Sequence, residues 1–304
     1  MNVFHNHIGI NLTNSRMQLV EVAFAGEDFI VSNIDEAYFN ESLDFNEKET
    51  KISSLLQNAF NDILIRKPLT GKHVSFTLPQ NLFFIAELPL ENTLLDADLM
   101  EHLQWEFSLL FPYNDIKDFH FQFHRIDSVT PGRVVVGGLH KKFMKISSDF
   151  CSRNELTLMY IDTPHFASDN ILKTDTDFSS GKKIISLFVS DGSVTLNVYQ
   201  DEKYIEFHKL FPKNAGEIIP KLIEVIKDSI AVGGDIGSIS KLYVAGDDIT
   251  EIFMENLKKN IRIEIERHNP FDKIKIDSSL LESNMQFSKQ YSFISAAGIA
   301  FRIV

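Results

Sequence analysis

The sequence predicts an α/β protein built from two similar lobes, and three observations carry that prediction. An order of three strands, a helix and a strand occurs twice along the 304 residues. A smaller strand-helix-strand-strand segment lies between the copies, and no low-complexity tract separates the parts. Domains usually run about 100 to 200 residues, so a chain of this length buries sizeable cores. Hydrophobic residues make up 44% and charged residues 24%, a globular balance that implies order nearly end to end.

The first copy opens with His7 to Leu12, Met17 to Phe24 and Phe29 to Phe39, extended segments joined by Thr13-Asn-Ser15 and Ala25-Gly-Glu-Asp28 turns. From Lys51 to Ile65 the residues Ile52, Leu55, Leu56, Ala59, Phe60, Ile63 and Leu64 recur at helical spacing, and His73 to Leu78 reads as the next strand. The same order returns after Gly181, with strands at Ile184 to Val189, Val194 to Tyr199 and Lys203 to Phe211, a helix from Ala215 to Ile230 and a strand from Lys241 to Ala245. Between the copies lie a strand from Leu82 to Leu90, an amphipathic helix from Leu94 to Phe111 stopped by Pro112, and strands at Phe119 to Ile126 and Arg133 to Gly137. A helix from His140 to Asn154 and a strand from Thr157 to Ile161 return to the first copy. Asp162-Thr-Pro-His165 starts a helix through Leu172, and the polar stretch Lys173 to Ser180 reads as the hinge. The expected organisation is a first lobe of residues 1–80 and 139–176, an inserted β-α-β-β subdomain of 81–138, and a second lobe of 177–304.

A formal net charge of −12 without a Lys/Arg block excludes unaided binding to nucleic acid or an anionic membrane, both of which need clustered cations. The single cysteine, Cys151, cannot form an internal disulfide, lacks the signature of a nucleophile and reads as a buried mid-helix residue. No cationic-then-apolar leader opens the chain, and its apolar stretches, such as Ile294 to Phe301, fall short of the roughly 20 residues that span a bilayer. The expectation is a cytoplasmic protein that reaches a membrane only through a partner.

Phe119-His-Phe-Gln-Phe-His124 alternates, so His120, Gln122 and His124 share an exposed polar face; the two histidines lie about 13 Å apart, too far for one metal. His5 and His7 would need ligands from elsewhere. Gly137-Gly138 reads as a strand-to-helix turn, because the Lys and Ser/Thr of a P-loop are missing. In the insert helix Leu95, Leu99, Met100, Leu103, Phe107, Leu110 and Phe111 form an apolar stripe expected in the core, opposite Asp96, Asp98, Glu101 and Glu106.

These segments carry a resemblance to the PilM family of type IV pilus-assembly proteins, themselves similar to the division protein FtsA and to actin. Ile8-Gly-Ile-Asn-Leu-Thr-Asn-Ser-Arg-Met-Gln-Leu-Val-Glu-Val22 is similar to the family's strand, phosphate turn and strand, written GLDIGSSSVKVVEL. Thr77-Leu-Pro79, Glu87-Leu-Pro89, Leu103-Gln-Trp-Glu106 and Phe111-Pro112 follow its order of LPE, ELP, a helix with WE, and a proline near the helix end. Tyr160-Ile-Asp162 looks like its LDVE strand end, Asn269-Pro-Phe271 like its NPF, and Ser292 to Arg302 like its AVAVGLALR. The resemblance implies an actin-like, ribonuclease-H-like fold with duplicated βββαβ units and a small α+β insert in the first lobe.

An actin-like nucleotide site needs two small-residue turns whose backbone N–H groups approach the phosphates, an acidic side chain for Mg²⁺ and glycines against base and ribose. The degenerate positions that would form it are Asn11, Thr13, Ser15, Asp191, Gly192, Ser193 and Gly246. Asn11 stands for the usual Asp, and Thr13 for a glycine, so its Cβ crowds any phosphate; Ser15 remains compatible. In the second turn Phe188 stands where the acid belongs unless Asp191 substitutes from three residues on. In the base turn, Val244 to Thr250, only Gly246 remains, beside Asp247 and Asp248, which would repel phosphate. The upper part of the second lobe is reduced to about 30 residues between Phe211 and Leu242.

The expected function is therefore a scaffold or adaptor of a type IV pilus or related secretion platform, without catalytic residues, metal or cofactor. The resemblance implies peripheral placement at the inner membrane. It also implies a PilN-like bitopic partner whose cytoplasmic N-terminal peptide docks between the insert and the first lobe, alongside other platform proteins; the sequence leaves a homo-oligomer open. The alternative is an ATP-binding switch or slow ATPase with an unconventional Mg-ATP site; a sugar or acetate kinase of the same fold lacks a recognisable catalytic acid.

Overall fold

Alternating apolar residues from His7 onward build a meander whose inner faces must be covered. The computed structural model shows how. It describes all residues except 1–4, 26–27, 91–94, 113, 127–131, 175–177, 179–180, 191, 232–238, 273, 279, 281–286 and 303–304. Strands β1 (His7–Leu12), β2 (Arg16–Ala25) and β3 (Asp28–Tyr38) run antiparallel; helix α1 (Glu49–Arg66) then crosses over to β4 (His73–Thr77), parallel to β1. The insert follows as β5 (Phe83–Pro89), α2 (Asp96–Leu110), β6 (Phe119–Ile126) and β7 (Arg133–His140). The first lobe resumes with α3 (Lys141–Arg153), β8 (Thr157–Asp162) and α4 (Pro164–Asp169), which leads into a 3-10 helix, Asn170–Thr174.

The second lobe repeats the plan with β9 (Lys183–Ser190), β10 (Ser193–Gln200), β11 (Lys203–Leu210), α5 (Ile218–Ala231), β12 (Ile239–Ala245), α6 (Glu251–Asn260) and β13 (Glu264–Arg267). The sheets run β14-β3-β2-β1-β4-β8 and β11-β10-β9-β12-β13, where β14 is Lys275–Ile276. Apart from the added β14 the two orders correspond strand for strand, which confirms the duplication read from the sequence. Apolar faces of α1 and α3 cover one side of the first sheet, and those of α5 and α6 cover one side of the second.

The end of the chain departs from the expected division. β14 pairs with β3, and helix α7 (Ile294–Ala300) packs on β1, β2, β4 and α4, so these residues belong with the first lobe rather than with 177–304. Side-chain size explains the docking. A Cβ on Gly9 would lie 2.0 Å from the Ala296 carbonyl oxygen, and one on Gly298 would lie 2.0 Å from that of Ala167, so glycine at both contacts lets strand, α7 and α4 touch backbone to backbone. Phe293, Ala296, Ala297 and Ala300 join Val20 and Val22 of the first lobe to Phe188 and Ala245 of the second in one buried cluster.

In the insert, Gly137 and Gly138 correct the expected turn: both lie inside β7, the central strand, paired with β5 on one side and β6 on the other. Helix α2 covers one face through Leu99, Leu103 and Phe107. Leu95 and Leu110, expected in that core, are 75% and 50% exposed, and Trp105 of the same helix is 55% exposed. His120, Gln122 and His124 lie on an exposed face as the alternation predicts. Of the expected hinge, Lys173 and Thr174 end the 3-10 helix and Phe178 is buried; residues 175–177 and 179–180 lie outside the described residues.

Candidate functional site

The two hairpin turns of the duplicated unit meet between the lobes. In the first, Asn11 and Gln18 face each other across the β1–β2 ladder. The Asn11 amide donates to Gln18 Oε1 (2.9 Å), Thr77 Oγ1 donates to Asn11 Oδ1 (2.7 Å), and Gln18 Nε2 reaches Ser292 Oγ (3.1 Å). Asn11, Gln18 and Thr77 are buried, so Asn11 spends its side chain on the protein. Thr13 is also buried, and its hydroxyl accepts from the backbone N–H groups of Ser15 (3.2 Å) and Arg16 (3.1 Å), holding the turn. Ser15 lines a separate outer depression of about 280 Å³ with Asn14, Tyr38, Phe39, Glu41 and Ser42.

In the second turn Gly192 takes φ +71°, a conformation that favours glycine, between β9 and β10. Asp191, a candidate acid, lies outside the described residues. Phe188 is buried and stacks on the His165 ring, centroids 5.4 Å apart. Beneath it lies a polar network between α4 and the second sheet that sequence reasoning missed. Asp169 accepts from Ser186 Oγ (2.5 Å), Asn197 Nδ2 (2.6 Å) and Tyr199 Oη (2.8 Å). With the Ser186 proton given to Asp169, His165 Nε2 must donate to Ser186 Oγ (3.1 Å), which leaves Nδ1 to accept from Thr195 Oγ1 (2.7 Å). Burial lowers the His165 pKa against the pull of Asp169, which favours the neutral imidazole and so the acceptor role of Nδ1. Burial, and then the Asp169 charge, push the Tyr199 phenol well above its ordinary range and keep it a donor.

The third turn follows β12. Gly246 has φ +118°, and a Cβ there would lie 2.0 Å from the Val189 carbonyl oxygen, to which Asp248 N donates (3.2 Å). Asp247, expected to repel phosphate, is paired: Arg16 Nη2 stands 3.2 Å from its Oδ2. The space enclosed by Asn11, Thr13, Gln80, Phe188, Ser193 and Asp247 amounts to about 20 Å³. Gln80 Oε1 and Ser193 Oγ are buried and find no hydrogen-bond partner among the described residues, and both residues line this space. Its size suits one water, which needs roughly 10–15 Å³.

The insert is braced against the second lobe at β11. Glu87 accepts from Arg133 and from Phe207 N (3.1 Å), while Arg133 also reaches the Ile205 carbonyl oxygen (3.4 Å). The sheet face turned away from α2 carries Ile85, Gly137 and Gln122 side by side. A Cβ on Gly137 would meet nothing within 4 Å, whereas one on Gly138, on the α2 side, would come 2.9 Å from the Phe121 ring. This face is packed in part on the second lobe and α4, where Val135 and Ile126 are buried with Tyr199 and Tyr204 and Ile85 lies against them, and it keeps open space at Gly137.

No protein-family model and no curated protein matches the sequence. Among solved structures, a PilM–PilN type IV pilus biogenesis complex superposes with a TM-score of 0.71 at 16% identity, covering 97% of this chain and 98% of that one. A protein with an actin-like ATPase fold and unknown function from Bacteroides thetaiotaomicron gives 0.56 at 14% identity, over 97% of this chain and 95% of that one. The chain has the actin-like fold. The ethanolamine utilization protein EutJ from Carboxydothermus hydrogenoformans shares it at a TM-score of 0.50 and 10% identity, over 99% of this chain and 90% of that one. Identities this low carry the fold alone.

In an actin-like cleft a magnesium nucleotide would lie between the two hairpin turns, and the residues present there do not fit one. Small-molecule sites usually enclose about 300–1,000 Å³. Asn11 has both side-chain atoms engaged, Phe188 fills the second turn, and Asp247 is held by Arg16. Of the candidate positions, Asn11, Thr13 and Ser193 come together at the cleft; Ser15, Gly192 and Gly246 do not line it. Among the described residues no three His, Cys, Asp or Glu side chains group as a metal site.

Proposed function

We propose that this chain is a nucleotide-independent scaffold of a type IV pilus or related secretion platform. In this reading it binds the cytoplasmic N-terminal peptide of a membrane-anchored, PilN-like partner. The observation that carries the reading is the contrast between two surfaces. The inter-lobe cleft is closed by the protein's own side chains, while the insert keeps open space over Gly137, between Ile85 and Gln122. An extended peptide docks on such a surface with apolar side chains in depressions and backbone hydrogen bonds at a sheet edge. The likeness to a PilM–PilN complex supports the choice of partner. Among the described residues no helix is long and apolar enough to cross a membrane, so in this reading the partner supplies the anchor.

Affinity capture from detergent-solubilised membranes of the source cells tests this. Wild-type protein should retain a single-span assembly protein, and Gly137→Leu, which fills the open space, should lose it while remaining folded. Retention of no such protein, or equal retention by both, overturns the reading. Thermal unfolding with and without millimolar Mg-ATP tests the nucleotide clause: no shift in midpoint is expected. A ligand at 100 times its dissociation constant would add about 2.7 kcal/mol, so a clear ATP-dependent rise would restore the switch or slow-ATPase alternative.

A further inference from the structure

Arg16 opens β2 in the first lobe, and Asp247 follows β12 in the second. The guanidinium spans the mouth of the cleft, with Nη2 3.2 Å from Asp247 Oδ2, Nη1 3.2 Å from Glu36 Oε2, and Nη1 donating to the Tyr38 hydroxyl at 3.3 Å. The Arg16 and Asp247 side chains are 14% and 20% exposed, so the pair is withdrawn from most of the solvent that weakens surface ion pairs. Both ends sit on fixed turns. Thr13 Oγ1 pins the backbone N–H of Arg16, and the left-handed Gly246 folds Asp247 back over Val189. Lys289 holds the other oxygen of Glu36 at 2.7 Å, so Glu36 steadies the arginine without competing for its second nitrogen.

A cleft between two lobes stays closed only if something touches both walls. In this chain the hairpin turn of one lobe and the base-side turn of the other are joined directly. We propose that the Arg16–Asp247 pair is a latch across the mouth of the cleft, added to the buried Phe293 cluster and the Asp169 network that already join the lobes, and that the closed mouth is the chain's resting state. The latch goes beyond the scaffold reading and does not depend on it, because it belongs to the isolated chain and needs no partner.

The test uses the full chain with spin labels at cysteines introduced at Asn58 on α1 and Asn256 on α6, both exposed and one in each lobe. Cys151 is buried and its thiol pushed up to about 12, so it stays unlabelled. Wild-type protein should give one narrow inter-label distance distribution, unchanged by millimolar Mg-ATP. Asp247→Asn, which removes one charge and no volume, should broaden the distribution and lengthen its mean, and Arg16→Gln should do the same. The double variant should look like either single one, because each breaks the same contact. Should one single variant fail to fold by circular dichroism, the other decides. Distributions in the folded variants that superimpose on wild type overturn the latch. So does a wild-type open population that Mg-ATP closes.

Discussion

Neighbouring glycines in β7 make opposite demands. Gly138 lies under Phe121 and Phe107, so Gly138→Ala forces the insert core apart and should cost about 1–3 kcal/mol, read as a lower midpoint in urea. Gly137→Ala meets open space and should be neutral or slightly stabilising, since it removes the backbone freedom of glycine in a strand; a loss comparable to that of Gly138→Ala would contradict the register described. His7 provides a pH test. It is buried with Nε2 2.8 Å from Ser75 Oγ; desolvation, and then the His73 charge, lower its pKa from 6.5 to about 4, against the Ala300 backbone contact that raises it. The unfolded chain therefore takes up this proton first as pH falls. The stability contributed by neutral His7 is full above pH 6.5 and is lost progressively toward pH 4. His7→Gln should flatten that part of the stability profile, measured by urea unfolding between pH 7.5 and 4.5; an unchanged slope would assign it to other groups.

At the scale of elements, most strands and helices were legible, because alternation and helical spacing dictate them locally. Misreadings arose where the deciding contact is distant. Gly137-Gly138 followed by a helix looks like a turn until both neighbouring strands are seen to pair with β7. Leu95 and Leu110 fit the apolar period of α2, yet they fall near its ends, outside the faces pressed against the sheet. The small residues of Ile294–Ala300 signal close packing without naming the surface, so Gly9 was needed to place α7. The same reasoning covers the Asp169 network, which fixes α4 to β9 and β10. Asp169→Asn turns one accepting oxygen into a donor facing other donors and should cost about 2–3 kcal/mol. A thermal midpoint within a degree of wild type would show that the network adds nothing net.

Across the whole molecule, the two-lobed plan was readable because the duplicated order appears in sequence, and Asn11, Thr13 and Phe188 drew attention because the resemblance expects other residues at those positions. Gln18, Arg16 and His165 were not readable. Their roles arise only when a hairpin register or the docking of one lobe on the other supplies the partner, and neither leaves a local pattern. The cleft and the insert should behave independently. Asp247→Asn is expected to loosen the mouth of the cleft and leave capture of the proposed membrane partner intact, whereas Gly137→Leu is expected to abolish that capture without changing the inter-lobe distance. A variant that lost both properties together would mean the two regions are coupled.

The position of α7 also bears on how the chain is made. Gln18 meets its partner Ser292 across a separation of 274 residues, and Gly9 on the first strand is covered by the helix that ends at Ala300. During synthesis at about 5–20 residues per second, the inner face of the first sheet waits uncovered while the second lobe is translated. The second lobe's β9 to β13 unit carries its own helices and can form before that sheet is sealed. A ribosome stalled before α7 emerges should therefore present a protease-resistant second lobe beside a sensitive first one, so the N-terminal lobe is the last to become secure.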